Sequence, residues 1–406
     1  MITDIKGWSK NRSKLSLLYR NRIDKIFNSL DKDIDTKFTY LSSKEDKLLF
    51  KKIRSISNQF KNKKRIFLIG IGGSSLGAKT ILDVDYNDKI TFLENIDPAY
   101  IRKKLLSVSD KSIGFIIISK SGETLEILSI ISIIEKHFFN NIQLSSNSIV
   151  ITDNKNSTLS RLARNRKIPI VYSDSNIGGR YSCFSMLGLL PLHIAGLDSQ
   201  KIKNLANRHF RDYLNKNKKT SKKNISSLVN FVSNRKISGH VFLCYIESFQ
   251  TLMLWYRQLW AESIGKKGKG IHLMPAIGSV DQHSQLQMWI DGKKDLIFTV
   301  VVPKKRSKNF KIIDKSNILP PYLNNKSIGE IINKMSHATI LELKKLKIPV
   351  RIIYIEDDTF KSAVQLMTNL MMEVSILGLA LNINPFDQPA VEKAKKSTKK
   401  LLANNV

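Results

Sequence analysis

The sequence predicts an α/β protein of two domains with largely parallel sheets, and three observations carry that prediction. Apolar runs of strand length recur along the chain, each followed by a stretch of helical spacing. The runs are apolar throughout rather than alternating, as strands buried on both faces of a parallel sheet are. At 406 residues the chain exceeds what one ordinary core encloses. The first set of strands is Ile66–Ile69, Ile90–Leu93, Phe115–Ile118, Ile149–Thr152 and Ile170–Tyr172. The second is His240–Tyr245, Leu296–Val302 and Val350–Tyr354. Between the sets, Asn215–Asn224 (NKNKKTSKKN) has no apolar periodicity and reads as a linker. The expected division is a helical N-terminal segment over 1–44, a first α/β domain over 45–213, a second over 214–378 and a C-terminal helical tail over 379–406.

Two strand-to-helix loops carry the chemistry of the first domain. Residues 114–124, GFIIISKSGET, run from a strand into Ser119, Lys120, Ser121, Gly122 and Thr124, with helical spacing from Glu126. Backbone N–H groups and small hydroxyls at a helix N-terminus suit an anion such as phosphate. The alternative is an ordinary helix cap, since Ser and Thr are common N-caps. The spacing of a nucleotide-triphosphate P-loop is absent. Residues 66–77, IFLIGIGGSSLG, form a second such loop with Gly70, Gly72, Gly73, Ser74, Ser75 and Gly77. A dinucleotide fingerprint needs a third glycine where Ser75 stands, and Glu94 is only a weak match for a ribose-binding acid. Two serine-rich loops in one sheet point to a phosphosugar, and they resemble the sugar isomerase fold.

Composition narrows the function classes. There are 67 basic and 34 acidic residues, a net charge of +33. The basic runs at Lys61–Arg65, Lys216–Lys223, Lys304–Lys308 and Lys393–Lys400 are lysine-dominated and lie in loops and ends. No helix-turn-helix, zinc-finger or aromatic RNA-binding motif accompanies them, so a specific nucleic-acid partner is not expected. A positive field does speed encounter with a dianionic phosphate. No segment reaches the ~18 apolar residues of a membrane span, and no signal-peptide core is present. Cys183 and Cys244 stand far apart without metal-type spacing, which disfavours disulfides and zinc. A cytoplasmic, membrane-free setting is expected.

Four further segments hold acids and bases. In GGRYSCFS (178–185), Gly178 and Gly179 leave no side chain beside Arg180, which could approach a ligand and stabilise an oxyanion; a surface arginine after a turn is the alternative. In RQLWAESIGK (257–266), Glu262 follows a hydrophobic helical stretch, where partial desolvation favours a general base. A solvated helix-end glutamate is the commoner fate. In GSVDQHSQLQ (278–287), His283 sits among polar residues, whereas His193 and His240 lie in apolar segments and read as core histidines. His137, His209, His272 and His337 read as surface or helix-edge residues. In NPFDQPAVEKAKK (384–396), Pro385 and Pro389 precede a short helix with Glu392, Lys395 and Lys396, or simply a solvated basic tail.

The ordered set GIGGSSLG, SKSGET, GGRYS, ESIGK, GSVDQHS and PFDQPAVEKAKK resembles the phosphoglucose (glucose-6-phosphate) isomerase family from about residue 45 to the end. The tail has Ala390 where the family commonly has glycine, and Ile127 stands where a threonine is usual. The resemblance implies two sugar-isomerase-type three-layer α/β domains and an aldose–ketose isomerase of glycolysis and gluconeogenesis. It would interconvert D-glucose 6-phosphate and D-fructose 6-phosphate through ring opening and a cis-enediol(ate). It also implies roles for single residues: Glu262 as base, Arg180 stabilising the enediolate, His283 and Lys395 in ring opening. Gln388, Gly179, Gly73 and Ser74 would contact the sugar, and Ser119, Lys120, Ser121 and Thr124 its phosphate. No metal and no cofactor are implied, and the residue matching His283 would come from the other subunit of a homodimer. The alternatives are a related isomerase that also takes mannose 6-phosphate, and a non-catalytic sugar-phosphate sensor. The sensor has no use for Glu262, His283 and Lys395 together.

Overall fold

A computed structural model describes residues 2–4, 8, 17–106, 112–138 and 144–403. The strands in chain order are β1 (Ile2–Asp4), β2 (Arg65–Ile69), β3 (Ile90–Leu93), β4 (Ile113–Ile118), β5 (Ser148–Thr152), β6 (Ile170–Tyr172), β7 (Gly239–Cys244), β8 (His272–Ile277), β9 (Leu296–Pro303) and β10 (Val350–Ile355). They form two five-stranded sheets. The first has the order β3-β2-β4-β5-β6, all parallel. The second has the order β1-β10-β9-β7-β8, parallel except that β1 runs antiparallel to β10.

The two sheets share one winding. In each, the first parallel strand lies inside the sheet, its successor lies to one side, and the following strands lie to the other. The order therefore reverses between β2 and β4, and again between β7 and β9. Where the first sheet ends in β6, the second ends in β1. In a doubly wound sheet such a reversal leaves a crevice at the carboxyl ends of the two strands, and ligands bind there. The loops after β2 and β4 are the two serine-rich loops.

The strands form because isoleucine, valine and phenylalanine suit a pleated surface covered on both sides. Every residue of β4 and of β7 is buried. A large core fills the space between the sheets, built on the helices Leu76–Val84, Gln250–Ile264 and Phe360–Ala380. Smaller cores close the outer faces. Among the described residues, Phe360–Ala380 is the one helix long and apolar enough to cross a membrane, and 89% of its apolar window is buried inside the protein.

Two parts differ from the sequence reading. The stretch 215–224 is not a free linker, because a helix runs over Lys218–Ser233. Its packed face carries Ser221, Asn224, Ile225 and Leu228, and the face begins with polar residues, which hides the helical period. The expected strands also omit β8, whose HLMPAI sequence contains a proline. Pro275 is tolerated because β8 is an edge strand, paired to β7 alone. His272, read as a surface residue, is exposed at the start of β8. His240 is a core histidine, fully buried, with Nε2 2.8 Å from the Thr299 hydroxyl.

Candidate active site

The loop after β2 turns tightly at Gly72–Ser74 and packs against the turn that starts at Gly179. A Cβ on Gly73 would lie 2.3 Å from the Gly179 carbonyl carbon, so only glycine permits this approach. Ser75 donates to Glu94 at 2.6 Å, and Lys79 pairs with the other oxygen of that carboxylate. Glu94 is thereby occupied in bracing the loop. Ser74 beside it is half-buried.

Arg180 is the centre of the cluster, with 1% of its surface exposed. Its Nε donates to the Ser263 hydroxyl at 2.8 Å, and Nη1 donates to Glu262 at 3.1 Å and to the Gln388 side-chain oxygen. Nη2 donates to the carbonyls of Pro385 at 2.6 Å and Asp387 at 2.8 Å. All five guanidinium N–H groups are thus used. The arginine is locked in one orientation, and its charge lies beside a carboxylate that is itself 25% exposed. Glu262 occupies the last turn of the helix Gln250–Ile264, and its second oxygen accepts from Gln258 Nε2 at 2.8 Å. One turn of helix separates these two side chains.

The phosphate-type loop after β4 is braced internally. Ser119, 2% exposed, donates to the Thr124 hydroxyl at 2.9 Å and accepts from the Gly122 N–H at 3.1 Å. Gly122 has φ +67°, and a Cβ there would lie 2.0 Å from the Ser157 hydroxyl. The helix Leu125–Phe138 follows directly, so its N-terminal dipole faces this loop. Ser121 is exposed and accepts from the Glu123 N–H at 3.2 Å. Glu123 turns away to hold the Thr158 N–H and hydroxyl; that backbone hydrogen bond, with smaller help from Lys399 and Arg161, lowers its carboxyl pKa. Ile127 is 1% exposed and belongs to the core beneath the loop.

The structure brings together Arg180, Glu262, Gln388, Gly179 and Gly73, and it sets Ser119 and Thr124 in one loop. Three expected residues stand apart within the chain. Lys120 donates to the carbonyls of Ser175 at 2.8 Å and Ile177 at 2.7 Å and lies 3.5 Å from Asp153, so it holds the segment before Gly178. His283 is exposed in the short helix Val280–Ser284, and among the described residues no hydrogen bond joins it to the Arg180 cluster. Lys395 lies on the helix Val391–Ala403, which buries no residue, and pairs with Glu392 at 2.8 Å. That hydrogen bond lowers the Glu392 carboxyl.

Two residues of the cluster are absent from the sequence reading. Gln258 orients Glu262, and its i, i+4 relation on a helix was the available signal. Lys266, 12% exposed at its side chain, donates to the Asn384 and Asp387 carbonyls and lies 2.8 Å from the Asp387 carboxylate. It pins the same turn whose carbonyls clamp Arg180. Burial lowers its pKa, and Asp387 opposes the shift. Lys266→Ala should cut kcat about 10–10²-fold, the scale of a misplaced catalytic group, with binding of competing phosphate retained. Lys266→Arg should restore part of the loss. An unchanged kcat in the alanine variant would leave Lys266 no positioning role.

Residues 6–285 match the family model described as phosphoglucose isomerase. A glucose-6-phosphate isomerase of Campylobacter jejuni is 31% identical over 358 residues, covering 84% of this chain and 85% of that protein. The crystal structure of a hypothetical protein from Thermus thermophilus superposes with a TM-score of 0.87 at 26% identity, covering 99% of both chains. A glucose-6-phosphate isomerase structure from Chlamydia trachomatis shares the fold, with a TM-score of 0.78 and 18% identity over 89% of this chain and 74% of the other. The family match spans well over half of the sequence, and the chain belongs to the phosphoglucose isomerase family.

Proposed function

We infer that the chain interconverts D-glucose 6-phosphate and D-fructose 6-phosphate, working in the cytoplasm as a homodimer. The observation that carries this reading is the Arg180–Glu262–Gln388 cluster beside two hydroxyl-rich loops at one sheet's reversal point. The substrate phosphate sits against Ser119, Ser121, Thr124 and the helix N-terminus behind them. Gly73, Ser74, Gly179 and Gln388 face the sugar.

In this reading the open-chain aldose loses its C2 proton to Glu262, and electrons shift to give a cis-enediolate. The negative charge falls on the oxygens of C1 and C2, next to the locked Arg180. An immobile cation of this kind stabilises developing charge without reorganising during the reaction. Protonated Glu262 returns the proton to C1 while the C2 hydroxyl passes its proton to the C1 oxygen and becomes the ketone, so one carboxylate serves both directions. Ring opening precedes this step and moves a proton from O1 to O5. His283 of the other subunit is the acid–base group there, and Lys395 donates to the ring oxygen.

Purified protein should convert fructose 6-phosphate to glucose 6-phosphate in the presence of EDTA, read by a coupled dehydrogenase. Absence of conversion, or strict dependence on an added divalent metal, would overturn the proposal. Thr124→Ala should mainly raise KM, by the ~1.5–3 kcal/mol of one hydrogen bond to a charged group at most. A loss confined to kcat would detach the loop from phosphate binding.

A further inference from the structure

The edge of the Arg180 guanidinium that carries Nε and Nη2 is closed by a ring of hydrogen bonds. Nε donates to the Ser263 hydroxyl at 2.8 Å, and that oxygen lies 3.1 Å from the Tyr181 hydroxyl. Tyr181 donates to the Pro385 carbonyl at 3.4 Å, and Nη2 of Arg180 donates to the same carbonyl at 2.6 Å. The circuit therefore leaves the arginine at one nitrogen and returns at the next. Nη1 points the other way, to Glu262 and Gln388.

The chemistry of the members fixes the direction of the ring. A guanidinium only donates and a carbonyl only accepts. Each hydroxyl between them passes a hydrogen onward, Ser263 to Tyr181 and Tyr181 to Pro385. Both residues are shut away from solvent, Ser263 at 0% and Tyr181 at 1% exposed. Burial raises the Tyr181 pKa, so the phenol keeps the hydrogen it donates. Tyr181 is also held from behind. Tyr40, in the turn Thr39–Leu41, stacks on its ring at 4.8 Å, and Ser375 donates to its hydroxyl at 3.4 Å. A planar group bonded along one whole edge cannot rotate, so the ring sets where Nη1 points.

We propose that Ser263 and Tyr181 are positioning residues for Arg180, their linked hydroxyls fixing the plane in which Nη1 meets the enediolate oxygens. The inference rests on the isomerase reading and extends it to two buried residues behind the arginine. Wild type, Ser263→Ala, Tyr181→Phe and the double variant are compared as full-length protein, with circular dichroism checking each fold. Tyr181→Phe keeps the aromatic stack, so it decides the case even where Ser263→Ala folds poorly. Ser263→Ala should lower kcat about 10–10²-fold, the scale of a displaced catalytic group. Tyr181→Phe should lower it about fivefold, the loss of one neutral hydrogen bond. KM for fructose 6-phosphate and the affinity for inorganic phosphate should stay within about twofold, because the lost contacts act on the transition state. 5-Phospho-D-arabinonate carries a carboxylate where the enediolate charge develops, and its calorimetric affinity should fall by the same factor as kcat. The double variant should match Ser263→Ala, since one break already opens the ring. An unchanged kcat in both single variants, or losses that multiply in the double variant, would overturn the proposal. So would an equal loss of phosphate and arabinonate binding, the mark of a generally loosened fold. A wild type without turnover would instead refute the isomerase reading, and this proposal with it.

Discussion

Glu262→Gln should leave a folded protein that binds sugar phosphate and turns it over ~10²–10⁴-fold more slowly, the usual cost of losing a general base. That range corresponds to about 2.7–5.4 kcal/mol of transition-state free energy. The geometry explains why folding should survive. Glu262 accepts from Arg180 at 3.1 Å on one oxygen and from Gln258 at 2.8 Å on the other. A glutamine can turn its carbonyl toward Arg180 and its amide nitrogen toward Gln258. The Gln258 Oε1 is buried without a partner, so a flip of that amide presents it to the new donor. The loss therefore falls on proton transfer rather than on packing. Two measurements separate these effects. Competition by 6-phosphogluconate should keep its affinity, and deuterium uptake from solvent at C2 should fall in step with kcat. Normal exchange in this variant would assign the base to another group.

How much of this was legible in the sequence depends on where each partner lies along the chain. The central strands of the first sheet, β2, β4 and β5, stand out because both faces are buried, so each reads as one apolar run. The edge strand β8 does not, since Pro275 interrupts its run. The helix over Lys218–Ser233 looked like a linker because Ser221 and Asn224 open its buried face. Arg180, Glu262 and Gln388 were legible as separate motifs, and they meet through one guanidinium. What no local pattern shows is the clamp. Lys266 reaches residues 118 and 121 positions away, and the carbonyls of Pro385 and Asp387 carry no side-chain signature. The shared winding of the two sheets is equally invisible, because strand order is a matter of pairing and not of composition. Lys120 shows the opposite limit. The family resemblance assigned it to the phosphate, while its ammonium is spent on two backbone carbonyls near Gly178.

Mixing two inactive variants should restore activity if His283 serves the other subunit's site. Each single variant, His283→Ala or Glu262→Gln, should lose at least ~10²-fold in turnover of cyclic substrate. In a two-fold symmetric dimer each site then combines Glu262 of one subunit with His283 of the other. A mixed dimer has one site with both residues replaced and one site with both intact. Random reassortment makes about half of the dimers mixed, each with one working site of two, so the mixture should recover about a quarter of wild-type activity. The placement of His283 motivates the test. It is exposed near Val280 and Met288, which are 61% and 62% exposed, and no hydrogen bond ties it to the Arg180 cluster among the described residues. An exposed apolar rim beside a polar histidine suits a contact between copies. Co-refolding equal amounts of the two variants, or co-expressing them with different tags and purifying through both, supplies the mixed dimer. If activity stays at the level of the single variants although mixed dimers are isolated, His283 acts within its own chain or not at all. Recovery to a quarter fixes the dimer as the catalytic unit and ties an exposed histidine to a site it does not touch in its own subunit.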